Sequence, residues 1–215
     1  MISVKHKFIF IHIPKCAGTS VYKALMPEQD WHNINNTEHG GWDDKNKIHK
    51  QHATALQTKE FYCSNFNDYF SFTFVRNPWS KMVSDYLWMT NLDESSNGYR
   101  RKGAFLEYLN NENDFDLENL KKETFYRYDH ILPQIGFVLN NKGDRMVDFI
   151  GKFENLQEDF NVICDKIGIP RQQLPHTNKS QHTHYTEYYN KETREIVAEK
   201  YSKDIEYFGY EFGDQ

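Results

Sequence analysis

The chain is short of the features that mark most specialised protein classes. Its three cysteines, Cys16, Cys63 and Cys164, are odd in number and widely spaced, which excludes a disulfide framework and a paired metal motif. Free thiols in a reducing compartment are expected, and with them a cytoplasmic location. No apolar run is long enough to span a membrane, and the stretch Phe8–Ile13 near the start has no small-residue cleavage site behind it. Neither sign of charge dominates. The 26 Lys and Arg stand against 31 Asp and Glu, a net charge of −5, so there is no general pull toward nucleic acid or an anionic membrane. Any polyanion site must be a local basic pocket. Aromatic residues are plentiful, with 16 Phe and 14 Tyr among 215 residues. They supply the bodies of a core for one globular domain, which buries roughly 70% of its unfolded surface. No internal repeat is present.

Strand and helix patterns alternate along the chain. Phe8–Ile13 is apolar except for His12 and rich in β-branched and aromatic residues, as in a strand buried on both faces of a parallel sheet. The loop Pro14-Lys15-Cys16-Ala17-Gly18 follows, and Thr19 or Ser20 is the expected cap of a helix ending near Leu25. Residues 27–51 are polar and punctuated by Gly40-Gly41, and they read as a loop. A short helix is expected over Thr54–Phe61. The strongest strand signal is Tyr69–Val75, after which Asn77 caps a helix with Pro78 in its first turn. Residues 91–119 read as an exposed insertion, with a short helix over Phe105–Leu109. A third strand is expected over Met146–Phe153, then a helix from Asn155 that buries Cys164 and stops at Gly168. A last capped helix is expected after Asn190. The alternation predicts a single-domain α/β fold over residues 1–215 with a central parallel sheet.

Two places on this scaffold could carry chemistry. The loop Pro14–Ser20 combines small residues, a lysine and a helix start, which present backbone N–H groups, hydroxyls and a point charge to one anion. The same pattern alone also suits an ordinary strand-to-helix turn. It is not a Walker A loop, because Lys15 precedes Gly18 by three positions, and the strand Tyr69–Val75 ends in Arg76 with no carboxylate for magnesium. Arg76 stands before the second helix and Ser84 two turns along it, so a guanidinium and a hydroxyl could share one phosphate, or serve an ion pair and a helix surface.

Pro14-Lys-Cys-Ala-Gly-Thr-Ser20 and Phe74-Val-Arg-Asn-Pro-Trp-Ser-Lys-Met-Val-Ser-Asp-Tyr86 resemble the two nucleotide motifs of the carbohydrate sulfotransferases that use 3′-phosphoadenosine 5′-phosphosulfate (PAPS). The resemblance extends through His52-Ala-Thr-Ala55, Phe153-Glu-Asn-Leu156 and Asp204–Phe212, most of the chain, and is to the short, unanchored bacterial type. It implies a P-loop-like fold and sulfuryl transfer to a hydroxyl of a carbohydrate acceptor, leaving 3′-phosphoadenosine 5′-phosphate (PAP). It also implies Lys15 as charge partner of the 5′-phosphosulfate, the amides of Cys16, Ala17, Gly18, Thr19 and Ser20 as its cradle, and Arg76 and Ser84 on the 3′-phosphate. His52 is the implied base, since imidazole titrates near neutral pH, with His49 in reserve. Lys179 and Ser180 are expected phosphate contacts of a loop closing over the nucleotide. No metal is expected: the lysine, the arginine and the helix starts can carry the donor's charge, and His176, His182 and His184 lack a zinc-like spacing. Trp31, Trp42, Trp88, Arg100, Arg101, Lys102, Arg127, Tyr128 and Gln134 are weaker candidates for acceptor contact. Two other readings remain beside this one: a small-molecule kinase using ATP and magnesium, and a nucleotide-binding module without catalysis.

Overall fold

The structure, a computed structural model, describes residues 1–28, 40–90, 105–110, 129–175 and 183–214. In chain order its main elements are β1 (Ile2–Ser3), β2 (Phe8–Ile11), α1 (Gly18–Leu25), β3 (Trp42–Asp43), β4 (Ile48–His49), α2 (Ala55–Gln57), β5 (Phe70–Val75), α3 (Pro78–Thr90), α4 (Phe105–Asn110), α5 (Ile135–Val138), β6 (Phe149–Lys152), α6 (Leu156–Ile167), α7 (Lys191–Lys200) and α8 (Ser202–Phe208). They fall in two compact units, Met1–Val75 with Gln134–Lys179, and Arg76–Pro133 with Ser180–Gln215.

The first unit is built on a four-stranded sheet in the order β1-β2-β5-β6. β2, β5 and β6 run parallel, and β1 is an antiparallel edge strand. The continuous apolar character of β2 has the predicted consequence, since all four of its residues are buried. Phe10 and Phe72 stack at 5.1 Å across the β2–β5 pair, and Phe72 meets Phe74 edge-on at 6.5 Å. Each buried ring contributes on the order of 2–3 kcal/mol. Gly151 opposite Phe74 in β6 leaves room for that ring, because a β-carbon there would meet it. Register brings Ile11 beside Thr73, whose hydroxyl donates to the Ile11 carbonyl at 2.6 Å. The chain segments that follow β2 and β5 therefore leave the same edge of the sheet. In α6, Phe160, Ile163, Cys164 and Ile167 form the buried face, and Gly168 ends the helix at φ 71°.

Three expectations need correction. Within 27–51, β3 and β4 pair as a short hairpin and Lys50–His52 forms a 3₁₀ turn. The hairpin turn is made by the Asp43 carboxylate, which accepts from the amides of Lys45 and Asn46 at 3.0 Å each. Two-residue strands are too short to show an alternating pattern. The helix expected over Thr54–Phe61 is α2 for its first turn only and widens to a π-type turn over Thr58–Tyr62. Helix α1 begins at Gly18, earlier than Thr19 or Ser20 could cap it.

The second unit is helical. In α3, Trp79, Met82, Val83 and Met89 are buried at helical spacing and pack with Phe105, Tyr108, Val197 and Tyr201. Asn77 caps α3 as its position before Pro78 suggests, accepting from the amides of Trp79 and Ser80 at 3.1 and 3.4 Å. The chain end is fastened here: Asn77 Nδ2 donates to the Glu211 carbonyl at 2.8 Å and Phe212 packs edge-on against Trp79 at 5.5 Å. Asn190 and Thr193 form the capping box of α7. Among the described residues no helix is long and apolar enough to cross a membrane.

Candidate functional site

The loop after β2 turns twice through the left-handed region without glycine. Cys16 donates its amide to the Ile13 carbonyl at 3.3 Å, closing a turn with Pro14 and Lys15 at its centre, and Lys15 has φ 66°. That positive φ at the third position is the type II geometry that usually recruits glycine or asparagine. Ala17 follows at φ 64° as the N-cap of α1, with no side-chain cap hydrogen bond. A non-glycine residue in this region costs about 1–3 kcal/mol, a cost characteristic of ligand clamps. Left-handed residues at alternate positions turn successive N–H groups to one side and form a nest for an anion. The amides of Ser20 and Val21 return to the Ala17 carbonyl at 3.0 and 3.2 Å. Those of Ala17, Gly18 and Thr19 make no backbone hydrogen bond among the described residues. The helix start thus keeps its positive end for a ligand.

The side chains of the loop have separate surroundings. Cys16 is buried, and its thiol donates to Gln134 Oε1 at 3.3 Å. Gln134, weighed above as an acceptor contact, is itself fully buried and braces the loop from α5's N-terminal side. Gly18 has a requirement the sequence did not reveal, because the imidazole of His12 lies where a β-carbon at 18 would stand. His12 is in turn stacked on Phe10, with ring centroids 5.8 Å apart, and meets the ring of His52 edge-on at 5.0 Å. His52 closes the 3₁₀ turn and is buried. The reserve candidate His49 lies elsewhere, against Trp42 at 5.0 Å. Lys15, Gly18 and His52 thus share the first unit, with His12 linking the last two. His12 is the lone polar residue of a strand pattern, and only its packing reveals its place.

Arg76 follows β5 directly, is buried, and donates from Nε to Ser80 Oγ at 3.0 Å, one turn before Ser84 on α3. Ser84 is half-buried. Lys179 and Ser180 lie outside the described residues, as do Trp31, Arg100, Arg101, Lys102, Arg127 and Tyr128. Trp42 donates from its indole to Asp44 within the β3–β4 hairpin at 2.8 Å. Trp88, on α3, keeps 36% of its surface exposed.

A parallel sheet whose β2 and β5 each run into a short loop and a helix, the first loop shaped as an anion nest, defines an α/β protein with a P-loop-like plan. The profile of the sulfotransferase family matches residues 1–211, and the chain belongs to that family. It is 26% identical over 223 aligned positions to human carbohydrate sulfotransferase 9, covering 94% of this chain and 47% of the human protein, so it spans about half the length of that relative. It is 35% identical over 107 residues to an uncharacterized protein of Archaeoglobus fulgidus, covering 50% of this chain and 74% of that one. A solved sulfotransferase from Alicyclobacillus acidocaldarius shares the fold, with a TM-score of 0.54 and 14% identity over 98% of both chains.

Proposed function

We propose that the chain, as one sulfotransferase domain over residues 1–215, transfers a sulfuryl group from PAPS to a hydroxyl of a carbohydrate acceptor. The observation that carries this reading is the double left-handed turn at Lys15 and Ala17 opening onto an uncapped helix start. Membership of the family narrows the anion to a sulfuryl donor, and the carbohydrate sulfotransferase among its relatives supports a sugar as acceptor. None of the three cysteines is in a disulfide among the described residues, which fits a cytoplasmic protein.

The donor, when bound, supplies an activated sulfuryl group with a phosphate as its leaving group. The cradle expected over Cys16, Ala17, Gly18, Thr19 and Ser20 narrows to the amides of Ala17, Gly18 and Thr19, since those of Cys16 and Ser20 bond within the loop, and Lys15 neutralises the charge that builds on the departing oxygen. His52 takes the proton of the acceptor hydroxyl, and its place beside His12 and the buried 3₁₀ turn limits its rotation. Arg76 and Ser84 take the 3′-phosphate, with Lys179 and Ser180 as further phosphate contacts. This assignment asks no metal of the site.

Calorimetric titration with PAP, and separately with ATP and magnesium, tests the reading. Binding of PAP in the micromolar range or tighter without metal, followed by PAP release when PAPS and a glycan acceptor are supplied, is the expected result. Preference for ATP would replace it with a kinase, and PAP binding without turnover on any glycan would reduce the chain to a nucleotide-binding module.

A further inference from the structure

Ser80 and Ser84 stand at i and i+4 on α3, a spacing that stacks two hydroxyls on one helical face. Arg76, four residues before Ser80, extends the row: its Nε donates to Ser80 Oγ at 3.0 Å. All three residues belong to the second unit. Both serines are half-buried, beside the buried Trp79, Met82 and Val83. The neighbouring face of α3 is committed to packing. There Lys81 Nζ donates to the His130 carbonyl, Asp85 Oδ1 lies 2.6 Å from His130 Nδ1, and the Trp88 ring stacks on that imidazole at 5.0 Å. The two serines do nothing comparable, and neither hydroxyl donates to an acceptor among the described residues.

The turn that carries Ser80 is fixed from several sides. Asn77 Oδ1 accepts from the amides of Trp79 and Ser80 at 3.1 and 3.4 Å, while its Nδ2 donates to the Glu211 carbonyl at 2.8 Å. Trp79 donates from its indole to the Arg194 carbonyl at 3.1 Å, its own carbonyl accepts from the Tyr189 hydroxyl at 2.9 Å, and Phe212 meets its ring edge-on at 5.5 Å. Ser80 is thus held in place before any ligand arrives, which lowers the entropic cost of binding one. A serine hydroxyl offers one donor and two acceptor lone pairs. One lone pair takes the guanidinium N–H, and that cation polarises the O–H so that it donates more strongly to an anion. A guanidinium and two hydroxyls in a row match the oxygens of a phosphate monoester.

We propose that Ser80 is a further ligand of the 3′-phosphate: its O–H donates to a phosphate oxygen while its Oγ accepts from Arg76. Arg76, Ser80 and Ser84 then form one subsite on α3 and the residues before it. The assignment rests on the reading of Arg76 and Ser84 as the 3′-phosphate contacts and adds the residue that stands between them. Ser80 acts twice, as a contact of the anion and as the group that orients the guanidinium.

Calorimetric titration with PAP and with adenosine 5′-phosphate tests the proposal, because the difference between the two ligands isolates the 3′-phosphate. Ser80→Ala is expected to weaken PAP about tenfold, the usual worth of a hydrogen bond to a charged group, and to leave adenosine 5′-phosphate within about twofold. Ser80→Thr keeps the hydroxyl and should restore most of the PAP affinity. In the Arg76→Ala background, Ser80→Ala should still weaken PAP by about threefold or more, since the hydroxyl meets the phosphate itself. Thermal melts check folding. Alanine is well suited to a helix, and Ser80→Cys, close in shape but a weak donor, reads the same loss should the alanine variant unfold. Unchanged PAP affinity in Ser80→Ala, equal losses on the two nucleotides, or a loss that vanishes once Arg76 is removed would overturn the proposal; in the last case Ser80 only supports the arginine. Each of these outcomes leaves the donor reading in place as long as Arg76→Ala weakens PAP selectively. A wild type that binds PAP no better than adenosine 5′-phosphate would overturn both.

Discussion

The imidazole of His12 lies over the Cα of Gly18, in the space a β-carbon at that position would need. His12 is pinned from behind by Phe10 and from the side by His52, so it has little room to yield. Gly18→Ala is expected to destabilise the protein by about 1–3 kcal/mol, the usual cost of overpacking, and to weaken PAP binding by displacing the start of α1. Removing the ring in His12→Ala/Gly18→Ala should restore much of the stability, because the two positions are directly coupled. Chemical denaturation of the two variants measures both effects, and additive losses would show that the contact is not what makes Gly18 necessary.

Ala17 offers a test of opposite sign. With φ at 64° it occupies a region where only glycine is comfortable, so Ala17→Gly should raise stability by about 0.5–1 kcal/mol despite the greater freedom of glycine in the unfolded chain. PAP affinity should be unchanged, since the nest is made of backbone. A fall in stability would mean that the loop does not hold this turn.

His52→Ala should leave PAP affinity within about twofold and lower turnover on the same acceptor by about 10²–10⁴-fold, the range of a lost general base. His49→Ala removes a buried ring packed on Trp42, and its expected effect is on thermal stability. Turnover that survives His52→Ala unchanged would transfer the proton to another group.

Arg76→Ala should weaken PAP at least tenfold while changing adenosine 5′-phosphate little, because a charge-assisted contact to the 3′-phosphate is absent from the second ligand. Calorimetry with the two nucleotides measures the difference, and equal losses would remove Arg76 from the 3′ site.

The hairpin between β3 and β4 carries a pH-dependent contribution. The Tyr62 hydroxyl donates to Asp43 at 2.6 Å, and this bond, aided by those from Asn46 and Lys45, lowers the Asp43 carboxyl to about 2. A carboxyl lowered on folding adds stability that is complete above its unfolded value of roughly 4 and is lost as pH falls toward the folded one. Tyr62→Phe should therefore lower stability at pH 5–7 and flatten its decline between about pH 4 and pH 2. Urea midpoints across that range, unchanged by the substitution, would count against the bond.

Much of the fold was legible because burial on both faces leaves a mark on composition. Phe8–Ile11 and Phe70–Val75 are strands whose apolar runs no exposed element would tolerate, and Asn77-Pro78 and Asn190 are helix starts written in local chemistry. Elements of two residues, such as β1 and the β3–β4 pair, are shorter than any period and take their shape from partners. The start of α1 differs from its sequence pattern for a related reason. Thr19 and Ser20 look like caps, but Ala17 enters the helix through a left-handed turn that no alanine announces.

The candidate site divides in the same way. Local order along the chain, by itself, determined that a lysine, small residues and a helix start follow one buried strand and that an arginine and an asparagine-capped helix follow its neighbour, since covalent spacing decides which groups a strand end can present. Tertiary structure alone decided that His12 stands over Gly18 and against His52, that Gln134 holds the Cys16 thiol, and that Lys81, Asp85 and Trp88 fasten His130. These contacts join residues as many as 118 positions apart. They depend on packing in three dimensions, where a histidine in a strand and one in a polar turn become distinguishable by what surrounds them.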